Sequence, residues 1–425
     1  MNKELDLAYQ VLNKVYFKKA YASIELNKHS TNDINFNLVT KIVYGVIDQD
    51  IQLNYYLSQF YKKSPKKDVL LLLKMGAYVH FNVDSIPDFA MVNELVELSK
   101  RTYMRPYKSF INAVLKKVVI TPFSLPDINN KTQFLSIKFS KPEWYINLLL
   151  NNFDYGFVVS LLSCELTTDT HIRVNTRLVD VKQFIQKLDE LGIQYKPSIF
   201  EDALYVDYSS LVRQKQLNNL YTAQGIPSMI VARNVKGNKV LDLCSAPGGK
   251  AIYTATLNPS CEVIACDIYE HRLQLINEYK NRLNIDNVTT LLNDATIFNP
   301  QFENMFDCVI LDVPCSGLGV VDKKPDLLLN NQLKFEELPK IQAKILDIAS
   351  KYVKIGGSIV YSTCTILPQE NENIINGFLN RHHNYKITCV DTFKVPSKDE
   401  CGLKTFYPHI SHTEGFFIGK LERYE

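Results

Sequence analysis

The sequence lacks the long apolar runs that mark membrane proteins and secreted precursors. Its longest apolar stretches, such as Val69 to Leu73, are far shorter than the roughly 20 residues that a helix needs to cross a bilayer. The first residues, MNKELDLAYQ, include acidic side chains and contain no apolar core of a signal peptide. We therefore expect a cytoplasmic protein with no membrane partner.

Paired cysteines are also missing. The nine cysteines are an odd number, and no two of them are spaced as CxxC, which argues against a disulfide framework and a structural zinc site. The histidines His382, His383, His409 and His412 have no carboxylate or cysteine beside them at ligand spacing. No metal site is therefore predicted, and most cysteines are expected to be small buried apolar residues.

Charge of one sign is only slightly in excess, at a net +3, but it is unevenly distributed. Residues 1–120 contain 17 Lys and Arg against 11 Asp and Glu, a surplus of six, so that the remainder carries −3. A basic N-terminal part suits an acidic partner such as RNA, and the run Lys62-Lys63-Ser-Pro-Lys66-Lys67 could contact phosphates. On charge alone, however, solvated helix faces and an ordinary exposed loop are the simpler explanation.

Hydrophobic periodicity divides the chain into three parts. Leu7, Val11 and Val15 recur at helical spacing, and this pattern continues as far as Val118 with breakers at the prolines, which predicts a helical domain over residues 1–125. Residues 126–220 begin with a proline-marked linker and then mix short β-like and helical segments. They predict a linker and a small α+β connector domain.

Residues 221–425 show short apolar, β-branched runs separated by helical stretches. The predicted strands are Val240–Cys244, Glu262–Asp267, Val288–Leu292, Cys308–Asp312 and Ser358–Ser362. Strands that alternate with helices predict an α/β domain with a parallel, doubly wound sheet. Such sheets bind ligands at the carboxyl ends of their strands, near the point where the strand order reverses.

The first of these strands leads into a glycine-rich turn, Leu243-Cys-Ser-Ala-Pro-Gly-Gly-Lys250, and then into a helix. Glycines let the backbone approach a ligand closely, and the start of the helix offers free N–H groups. The turn has neither GxGxxG nor GxxxxGK[ST] spacing, which argues against an NAD fingerprint and a P-loop. Lys250 could reach the carboxylate of a cofactor, or it could be a solvated lysine.

Three aspartates, Asp267, Asp294 and Asp312, are each expected to end one of the strands that follow. Asp267 is suited to accept hydrogen bonds from ribose hydroxyls, and Asp294 to pair with an exocyclic amine of adenine. Each aspartate alone could be a helix N-cap. Together they predict a nucleoside pocket.

Two cysteines stand at strand ends in loop-like surroundings, in Asp312-Val-Pro-Cys-Ser-Gly317 and Tyr361-Ser-Thr-Cys-Thr365. A thiolate that adds to carbon 6 of cytosine makes carbon 5 carbanion-like, so that carbon 5 can take a methyl group from a sulfonium. Cys364 and Cys315 could divide this attack and the later removal of the carbon 5 proton, with Asp312 near N3 of the base. The residues alone do not decide which cysteine attacks, and both could instead be buried structural thiols.

These motifs, with Lys324-Pro-Asp326 and Glu414-Gly-Phe-Phe-Ile418, resemble those of the Sun-type RNA 5-methylcytosine methyltransferases. The resemblance implies a Rossmann-like S-adenosylmethionine methyltransferase domain in which Cys364 is the nucleophile and Cys315 assists release of the product. It also implies a set of cofactor contacts, which are Cys244, Ser245, Ala246, Pro247, Gly248, Gly249, Lys250, Asp267, Asp294 and Asp312.

The N-terminal part is similar to the NusB-like RNA-binding domain, in Ile86-Pro87, Met91–Lys100 and Phe110–Leu115. That domain is fused to the methyltransferase in bacterial 16S rRNA enzymes of the RsmB kind, and Arg173–Thr176 matches the connector of the family. The resemblance implies 16S rRNA as the partner and methylation of carbon 5 of one cytosine through a covalent Cys–C6 intermediate. We expect a monomer.

The chain departs from the family pattern at Val46–Gln49, where an arginine is common, and at Gln224-Gly225, where Gln-Asp is common. Neither departure touches the catalytic set. The other functions considered are cytosine methylation of tRNA, methylation of DNA, and RNA binding by an assembly factor that keeps a degenerate methyltransferase fold. Two strand-end thiols argue against a pure binding protein, and the NusB-like domain makes tRNA and DNA less suitable substrates.

Overall fold

The computed structural model describes residues 2–29, 34–100, 103–127, 129–167, 169–329 and 336–425. These residues form two compact units. The helical unit comprises the described residues within Met1–Ser163 and Val321–Gln332, and the sheet unit those within Cys164–Val320 and Leu333–Glu425. In the described part of the chain, no helix is both long enough and apolar enough to cross a membrane.

The helices of the helical unit follow one another along the chain with short connections. Their bounds are α1 (Lys3–Lys18), α2 (Ala22–Asn27), α3 (Phe36–Asp48), α4 (Asp50–Ser58), α5 (Lys67–Asn82), α6 (Asp88–Lys100), α7 (Lys108–Ile120), α8 (Lys131–Phe139), α9 (Glu143–Asn152) and α10 (Tyr155–Leu162). Side-chain caps fix where four of them begin: Asn2 accepts a hydrogen bond from the Leu5 N–H and Asn35 one from the Leu38 N–H, and Asn130 and Asp154 cap α8 and α10 in the same way.

Helix α5 forms the centre of this unit, since almost every residue from Val69 to Val79 is buried. Gly76 allows its close packing, because a Cβ atom there would lie 2.5 Å from Leu115 of α7 and 2.9 Å from Leu95 of α6. A helix that is buried on all sides loses the one-sided pattern of a surface helix. The predicted all-helical N-terminal part is confirmed.

The limits of the units differ from the predicted boundaries at residues 125 and 220. The expected proline-marked linker contains α8, and α8, α9 and α10 group with the helical unit. The segment Val321–Leu329 also packs in that unit, where Asp326 accepts a hydrogen bond from the Ala22 N–H at 3.3 Å. Hydrophobic periodicity places helices, but it does not say which neighbours share a core.

A small antiparallel sheet begins the sheet unit. Its strands are β1 (Thr170–Val174), β2 (Tyr195–Pro197), β3 (Ala203–Val206) and β4 (Tyr221–Ala223), in the order β2-β3-β1-β4. Two helices, α11 (Val181–Glu190) and α12 (Tyr208–Leu211), lie between these strands in the sequence. The α+β character expected for the connector agrees with this arrangement.

The large sheet carries the candidate site. Its strands are β5 (Lys239–Asp242), β6 (Glu262–Asp267), β7 (Val288–Leu292), β8 (Phe306–Asp312), β9 (Val353–Thr363), β10 (Tyr385–Thr388), β11 (Lys398–Glu400), β12 (Leu403–Phe406) and β13 (Phe416–Arg423). Helix α13 (Ile226–Arg233) precedes β5, and the helices between the strands are α14 (Gly249–Leu257), α15 (Glu270–Arg282), α16 (Leu338–Ala349), α17 (Glu372–Leu379) and α18 (Pro408–Ser411).

Strands β7, β6, β5, β8 and β9 pair in parallel in that order, and β13 adds antiparallel to β9. The chain passes from β5 outward to β6 and β7, and then returns to β8 on the other side of β5. The strand order therefore reverses between β5 and β8, which is where a doubly wound sheet forms its ligand crevice. The predicted Rossmann-like fold is confirmed.

The sheet is covered on both faces, as a parallel sheet requires. Val240 and Ile310 belong to the apolar core on one face, whereas their chain neighbours Leu241 and Leu311 belong to the core on the other. The predicted strands overlap the observed ones, with two corrections at the site. Strand β5 ends at Asp242, and Asp294 lies in the loop two residues beyond the end of β7.

Candidate active site

The turn after β5 provides the backbone of the candidate cofactor site. Gly248 has a φ of 103°, a left-handed conformation that residues with a side chain rarely adopt, and α14 begins at the next residue. The Ser245 N–H donates to the carbonyl of Cys266 at 2.8 Å, and the Gly248 N–H donates to the carbonyl of Ser245 at 2.7 Å. The turn is thereby fixed against β6 at the carboxyl edge of the sheet.

Asp267, the last residue of β6, is tied to this turn. Its carboxylate accepts a hydrogen bond from the Ala246 N–H at 3.3 Å and lies 3.5 Å from a guanidinium nitrogen of Arg272. Arg272 also donates to the carbonyl of Ala246 at 3.3 Å, which closes the cluster. Asp267 is therefore held at the predicted place, and its contact to a ribose stays a prediction.

Asp294 fixes its own loop. One carboxylate oxygen accepts hydrogen bonds from the N–H and the hydroxyl of Thr296, at 2.8 and 2.7 Å. This turn explains why Asp294 lies beyond the strand. Its pairing with an adenine amine stays a prediction, since the observed hydrogen bonds are those of a local turn.

Asp242 was not predicted from the sequence as a site residue, and its environment is unusual. Its side chain is only 1% exposed, and within the described residues neither carboxylate oxygen has a hydrogen-bond partner. Burial raises the pKa of Asp242 to about 7, and the charge of Asp312 adds to the rise. The positive charge of Lys250 opposes it, as do the Ser245 hydroxyl and the Cys244 backbone, which lie close to the carboxylate without forming a hydrogen bond of standard geometry. The hydroxyl of Ser245 in the adjoining turn is also buried without a partner among these residues.

Burying a hydrogen-bond acceptor without a partner costs free energy. A bound group that donates hydrogen bonds or carries positive charge would lower this cost at Asp242. A nucleoside joined to an amino acid has both features. The residues present therefore fit a cofactor of this chemistry. The sequence does contain a signal that could have identified Asp242, because this residue directly precedes the glycine-rich turn.

Lys250 is not a solvated lysine, since it is 9% exposed and its ammonium group donates to Asp312 at 2.6 Å. The Ser362 hydroxyl donates to the other oxygen of Asp312 at 2.9 Å. The ammonium group also lies 5.4 Å from the centre of the Phe416 ring. The pair with Lys250 balances the charge of Asp312 and fixes its direction beside the strand ends.

The two predicted cysteines lie in contact. Cys315 follows β8 and Cys364 follows β9, and their Sγ atoms are 3.2 Å apart. Strands β8 and β9 are parallel neighbours, with Asp312 in register with Ser362, so the loops that follow start side by side. The structure therefore brings together Cys315, Cys364, Asp312 and Lys250 at one edge of the sheet.

The remaining cysteines of the sheet differ from this pair. Cys266 and Cys308 are buried within strands, and burial raises the pKa of the Cys266 thiol to about 12. Cys244 lies among the carboxylates of the cofactor site, and burial is the main cause that raises its pKa well above the usual value. Cys266 and Cys308 are therefore neutral and inert. Cys244, Cys315 and Cys364 are all partly exposed, and the sulfurs of the last two lie in contact with each other.

Two glycines let the cysteine loops close. A Cβ atom on Gly319 would lie 2.1 Å from the carbonyl oxygen of Gly415, and one on Gly415 would lie 2.7 Å from the Cα atom of Gly319. The Gly319 N–H donates to the carbonyl of Cys364 at 2.9 Å, and the Gly415 N–H to the carbonyl of Gly319 at 2.7 Å. This contact explains why glycine stands at these positions of the two family motifs.

A cavity of about 510 Å³ lies elsewhere in the sheet unit. Residues from the amino ends of the strands line it, including Gly237, Asp307 and Lys354. It is therefore at the edge of the sheet opposite to the thiols. Among the described residues, no group of three or more His, Cys, Asp and Glu is placed to hold a metal ion.

Comparison with known proteins supports the methyltransferase fold independently of the geometry of the site. A family model described as 16S rRNA methyltransferase RsmB/F matches residues 229–422, and the NusB family model matches residues 2–119. The probable ribosomal RNA small subunit methyltransferase B of Bacillus subtilis (strain 168) is 30% identical over 440 residues, covering 98% of each chain. The ribosomal RNA small subunit methyltransferase B of Yersinia pestis is 27% identical, covering 93% of this chain and 92% of that one. The crystal structure of PH0851 shares the fold, with a TM-score of 0.81 and 23% identity over 100% of this chain and 99% of that one.

The sheet unit is thus a Rossmann-like methyltransferase whose cofactor is S-adenosylmethionine, and the helical unit contains a NusB domain. Because a relative 30% identical spans almost its whole length, the chain belongs to the RsmB/F family of 16S rRNA methyltransferases. It is an rRNA methyltransferase, and the predicted enzyme class and cofactor are confirmed. The roles of the individual site residues stay predictions.

The short distance between the thiols can be tested by oxidation. Diamide is expected to join Cys315 and Cys364 in a disulfide, because Sγ atoms 3.2 Å apart need to approach by only about 1 Å to reach bonding distance. Peptide mass spectrometry should find the two peptides linked, with the loss of two hydrogens and reversal by dithiothreitol. Cys308 is the internal control, and separate labelling of Cys315 and Cys364 after diamide treatment would contradict the geometry.

Asp242 is expected to make cofactor binding depend on pH. Below its pKa of about 7 the carboxylate is protonated, so a cationic cofactor must displace a proton in order to bind. Affinity for S-adenosylmethionine, measured by calorimetry, should rise by up to about tenfold per pH unit below pH 7 and level off above it. Asp242→Asn should remove this dependence, whereas Asp347→Asn on the surface of α16 should keep it; an unchanged profile in Asp242→Asn would reject the coupling.

Proposed function

We propose that the protein transfers a methyl group from S-adenosylmethionine to carbon 5 of a specific cytosine in 16S rRNA. The observation that carries this proposal is the contact between the thiols of Cys315 and Cys364, with 3.2 Å between their Sγ atoms. Carbon 5 of cytosine becomes nucleophilic only when a sulfur adds to carbon 6, and a second group must later remove the carbon 5 proton. Methylation of a nitrogen or an oxygen needs neither thiol.

Cys364 is the attacking residue in this proposal. The hydrogen bond to Cys364 is the largest cause that raises the pKa of Cys315 well above its usual value, followed by burial and by the negative charges of Cys364, Glu370 and Asp312. Either sulfur could donate in this contact. In the proposed arrangement Cys315 keeps its proton and the sulfur of Cys364 accepts the hydrogen bond. A sulfur that accepts this hydrogen bond is stabilised as a thiolate, which supports the role that the family resemblance implies.

The first step forms a bond between the Cys364 sulfur and carbon 6 of the base. The electron pair of the C5–C6 double bond moves to carbon 5 and toward N3, which takes a proton from solvent and returns it when the double bond is restored. Asp312 is suited to stabilise the protonated base, because its carboxylate is fixed by Lys250 and Ser362 and can accept hydrogen bonds from the amino group and from a protonated N3. When bound beside the glycine-rich turn, S-adenosylmethionine would supply the methyl group of its sulfonium to carbon 5 and would leave as S-adenosylhomocysteine.

Cys315 completes the reaction. After the sulfur of Cys364 has bonded to carbon, it no longer carries the negative charge that held the proton on Cys315. Cys315 can then release its proton to solvent and take the proton of carbon 5. The electron pair of that C–H bond restores the C5–C6 double bond, the C6–S bond breaks, and Cys364 returns as a thiolate.

The residues that would hold the cofactor are those of the glycine-rich turn and its neighbours. The turn from Cys244 to Lys250 offers its backbone, and Asp267 would accept hydrogen bonds from the ribose. Asp242 and the Ser245 hydroxyl would receive the donor groups that they lack. Asp294 stays a candidate for the adenine amine.

An exposed basic surface supports RNA as the substrate. This basic patch of the helical unit consists of Lys62, Lys63, Lys66, Lys67, Arg105 and Lys108. The ammonium group of Lys66 lies 5.5 Å from the centre of the Tyr107 ring, which places the lysine loop beside the start of α7. Within the described residues none of the six cations forms an ion pair, so their charge is available to phosphates.

Tyr103, which is 64% exposed, stands near the patch in the sequence and offers a surface on which an unpaired base can stack. The NusB family match over residues 2–119 includes the whole patch. The names of the Bacillus and Yersinia relatives point to RNA of the small ribosomal subunit. We therefore place 16S rRNA ahead of tRNA as the substrate.

Replacing each thiol is expected to stop the reaction at a different step. Cys364→Ala should abolish methyl transfer from radiolabelled S-adenosylmethionine to 16S rRNA, because no sulfur can activate carbon 5. Cys315→Ala should transfer the methyl group and then retain the RNA, visible as a retarded protein band on a denaturing gel. Cys389→Ala, an exposed cysteine outside the site, should behave as the wild type.

Normal turnover in Cys364→Ala would reject the proposed nucleophile. Release of free protein at the wild-type rate in Cys315→Ala would reject the proposed release step. Equal methylation of tRNA and 16S rRNA would reject the substrate, while leaving the chemistry intact.

The basic patch makes a separate prediction about salt. Lys63→Gln with Lys67→Gln should weaken binding to 16S rRNA and lower the slope of log affinity against log salt by about one for each lost phosphate contact. Filter binding at several potassium concentrations measures both quantities. Lys41→Gln, an exposed lysine of α3, is the matched control, and an unchanged slope in the double variant would show that RNA binds elsewhere.

A further inference from the structure

A buried carboxylate lies behind the thiol pair, outside the residues that the reaction uses directly. Glu370 ends the short 3-10 turn Pro368–Glu370 that follows the Cys364 loop, and it is only 2% exposed. Burying a carboxylate costs free energy unless hydrogen bonds replace the lost water. Glu370 therefore depends on the groups that donate to it.

Those donors belong to the Cys315 loop and to the helix beside it. Glu370 accepts hydrogen bonds from the Ser316 N–H at 2.9 Å and from the Ser316 hydroxyl at 2.5 Å. The third donor is the amide nitrogen of Gln342 in α16, at 2.9 Å. Ser316 is the residue that directly follows Cys315, so the carboxylate holds the loop at its reactive residue.

Gln342 completes the arrangement from the other side of Cys315. Its amide nitrogen also donates to the carbonyl of Pro314 at 2.9 Å. The residues before and after Cys315 are thus both held, one by Gln342 and the other by Glu370. The side chain of Gln342 is fully buried, which excludes competing water from this network.

The same network reaches the second thiol loop. The Ser316 hydroxyl lies 3.0 Å from the hydroxyl of Thr365, the residue after Cys364. The hydroxyl of Tyr361 donates to the backbone carbonyl of Glu370 at 2.7 Å, which fixes the turn against β9. One carboxylate therefore connects the two loops whose thiols touch.

We propose that Glu370 is a positioning residue for methyl transfer, which holds Cys315 against Cys364 through Ser316 and Gln342. The proposal rests on the proposed function, because it assigns Glu370 to the step in which Cys315 acts. Glu370 contacts neither RNA nor cofactor in this role. It acts only through the position and the charge environment of Cys315.

The charge of Glu370 gives the proposal a measurable consequence. Among the described residues, the titratable groups that face Cys315 are Cys364, Glu370, Asp312 and the hydroxyl of Tyr361. The charge of Asp312 is balanced by Lys250. Glu370 is one of the causes that raise the pKa of Cys315. Removing its charge should therefore lower the pH at which the Cys315 thiol ionises.

The experiment compares Glu370→Gln with Glu372→Gln. Glu372 is also a buried glutamate, two residues further along. Within the described residues its carboxylate accepts a hydrogen bond from Thr405 of β12 and none from the loops that carry the two thiols. Glutamine has an NH2 group in place of one carboxylate oxygen. In Glu370→Gln, one of the three groups that donate to Glu370 therefore loses its acceptor. Product release should slow by about tenfold or more, so that the protein–RNA adduct accumulates on a denaturing gel. Glu372→Gln should show no adduct.

A second readout separates positioning from general loss of structure. In proteins that also carry Cys364→Ala, the rate of alkylation of Cys315 by iodoacetamide is followed against pH. Glu370→Gln should shift the midpoint to lower pH, and Glu372→Gln should leave it in place. Ser316→Ala, which keeps the carboxylate but removes one donor, should accumulate less adduct than Glu370→Gln and provides the test if Glu370→Gln does not fold.

The outcomes distinguish the two proposals. If Cys315→Ala accumulates an adduct and both Glu370→Gln and Ser316→Ala do not, the positioning role is wrong and the release role of Cys315 stands. If Cys315→Ala accumulates no adduct, the release role is wrong. In that case an unshifted alkylation midpoint in Glu370→Gln overturns the positioning role as well.

Discussion

The parallel pairing of β8 with β9 is the constraint on which the rest of the site depends. Asp312 and Ser362 face each other in register, and both strands end within one residue of this pair. Neighbouring strands lie about 4.8 Å apart, so loops that leave them at the same level start within reach of each other. A slip of one residue would turn Cys364 to the opposite face and separate the thiols.

Around this pairing, the molecule holds its reactive groups in place before a substrate arrives. Lys250 and Ser362 fix Asp312, Glu370 and Gln342 hold the Cys315 loop, and the backbone contact between two glycines closes the loops from another side. Buried polar networks of this kind are stable only when almost every group is paired. Several buried polar atoms of the described residues have no partner, including Oε1 of Gln342 in this network. Those of Asp242 and Ser245 lie at the glycine-rich turn, where a ligand is expected to supply the missing contacts.

The sequence predicted the elements whose signal is local. Alternating strands and helices, a glycine-rich turn and polar residues at strand ends are all readable from neighbours in the chain, and the resulting fold is the observed one. The predicted strand Val288–Leu292 has the bounds of β7, but Asp294, which was expected to end that strand, lies two residues beyond it in a turn that it forms with Thr296. The antiparallel strands β10 to β13 were missed, since their pairing joins distant segments.

The network behind the thiols could not be predicted for the same reason. Gln342, Ser316 and Glu370 come from three separate segments, and no spacing in the sequence links them. The order of acidity of the two thiols is likewise a tertiary property, because it depends on which sulfur donates its proton and on which carboxylates lie near. Family resemblance ranked Cys364 as the nucleophile, and the contact between the thiols is compatible with that rank, because Cys315 is placed to donate a hydrogen bond to the sulfur of Cys364.

The most direct test of the account traps the covalent intermediate in the unaltered enzyme. With 16S rRNA in which 5-fluorocytidine replaces cytidine, carbon 5 carries fluorine in place of the proton that Cys315 must remove, so the reaction should stop after methyl transfer. Digestion of the trapped complex and mass spectrometry of the peptide that carries the methylated nucleotide identify the attached residue. The account predicts attachment at Cys364; attachment at Cys315, or no covalent complex in the presence of S-adenosylmethionine, would contradict it.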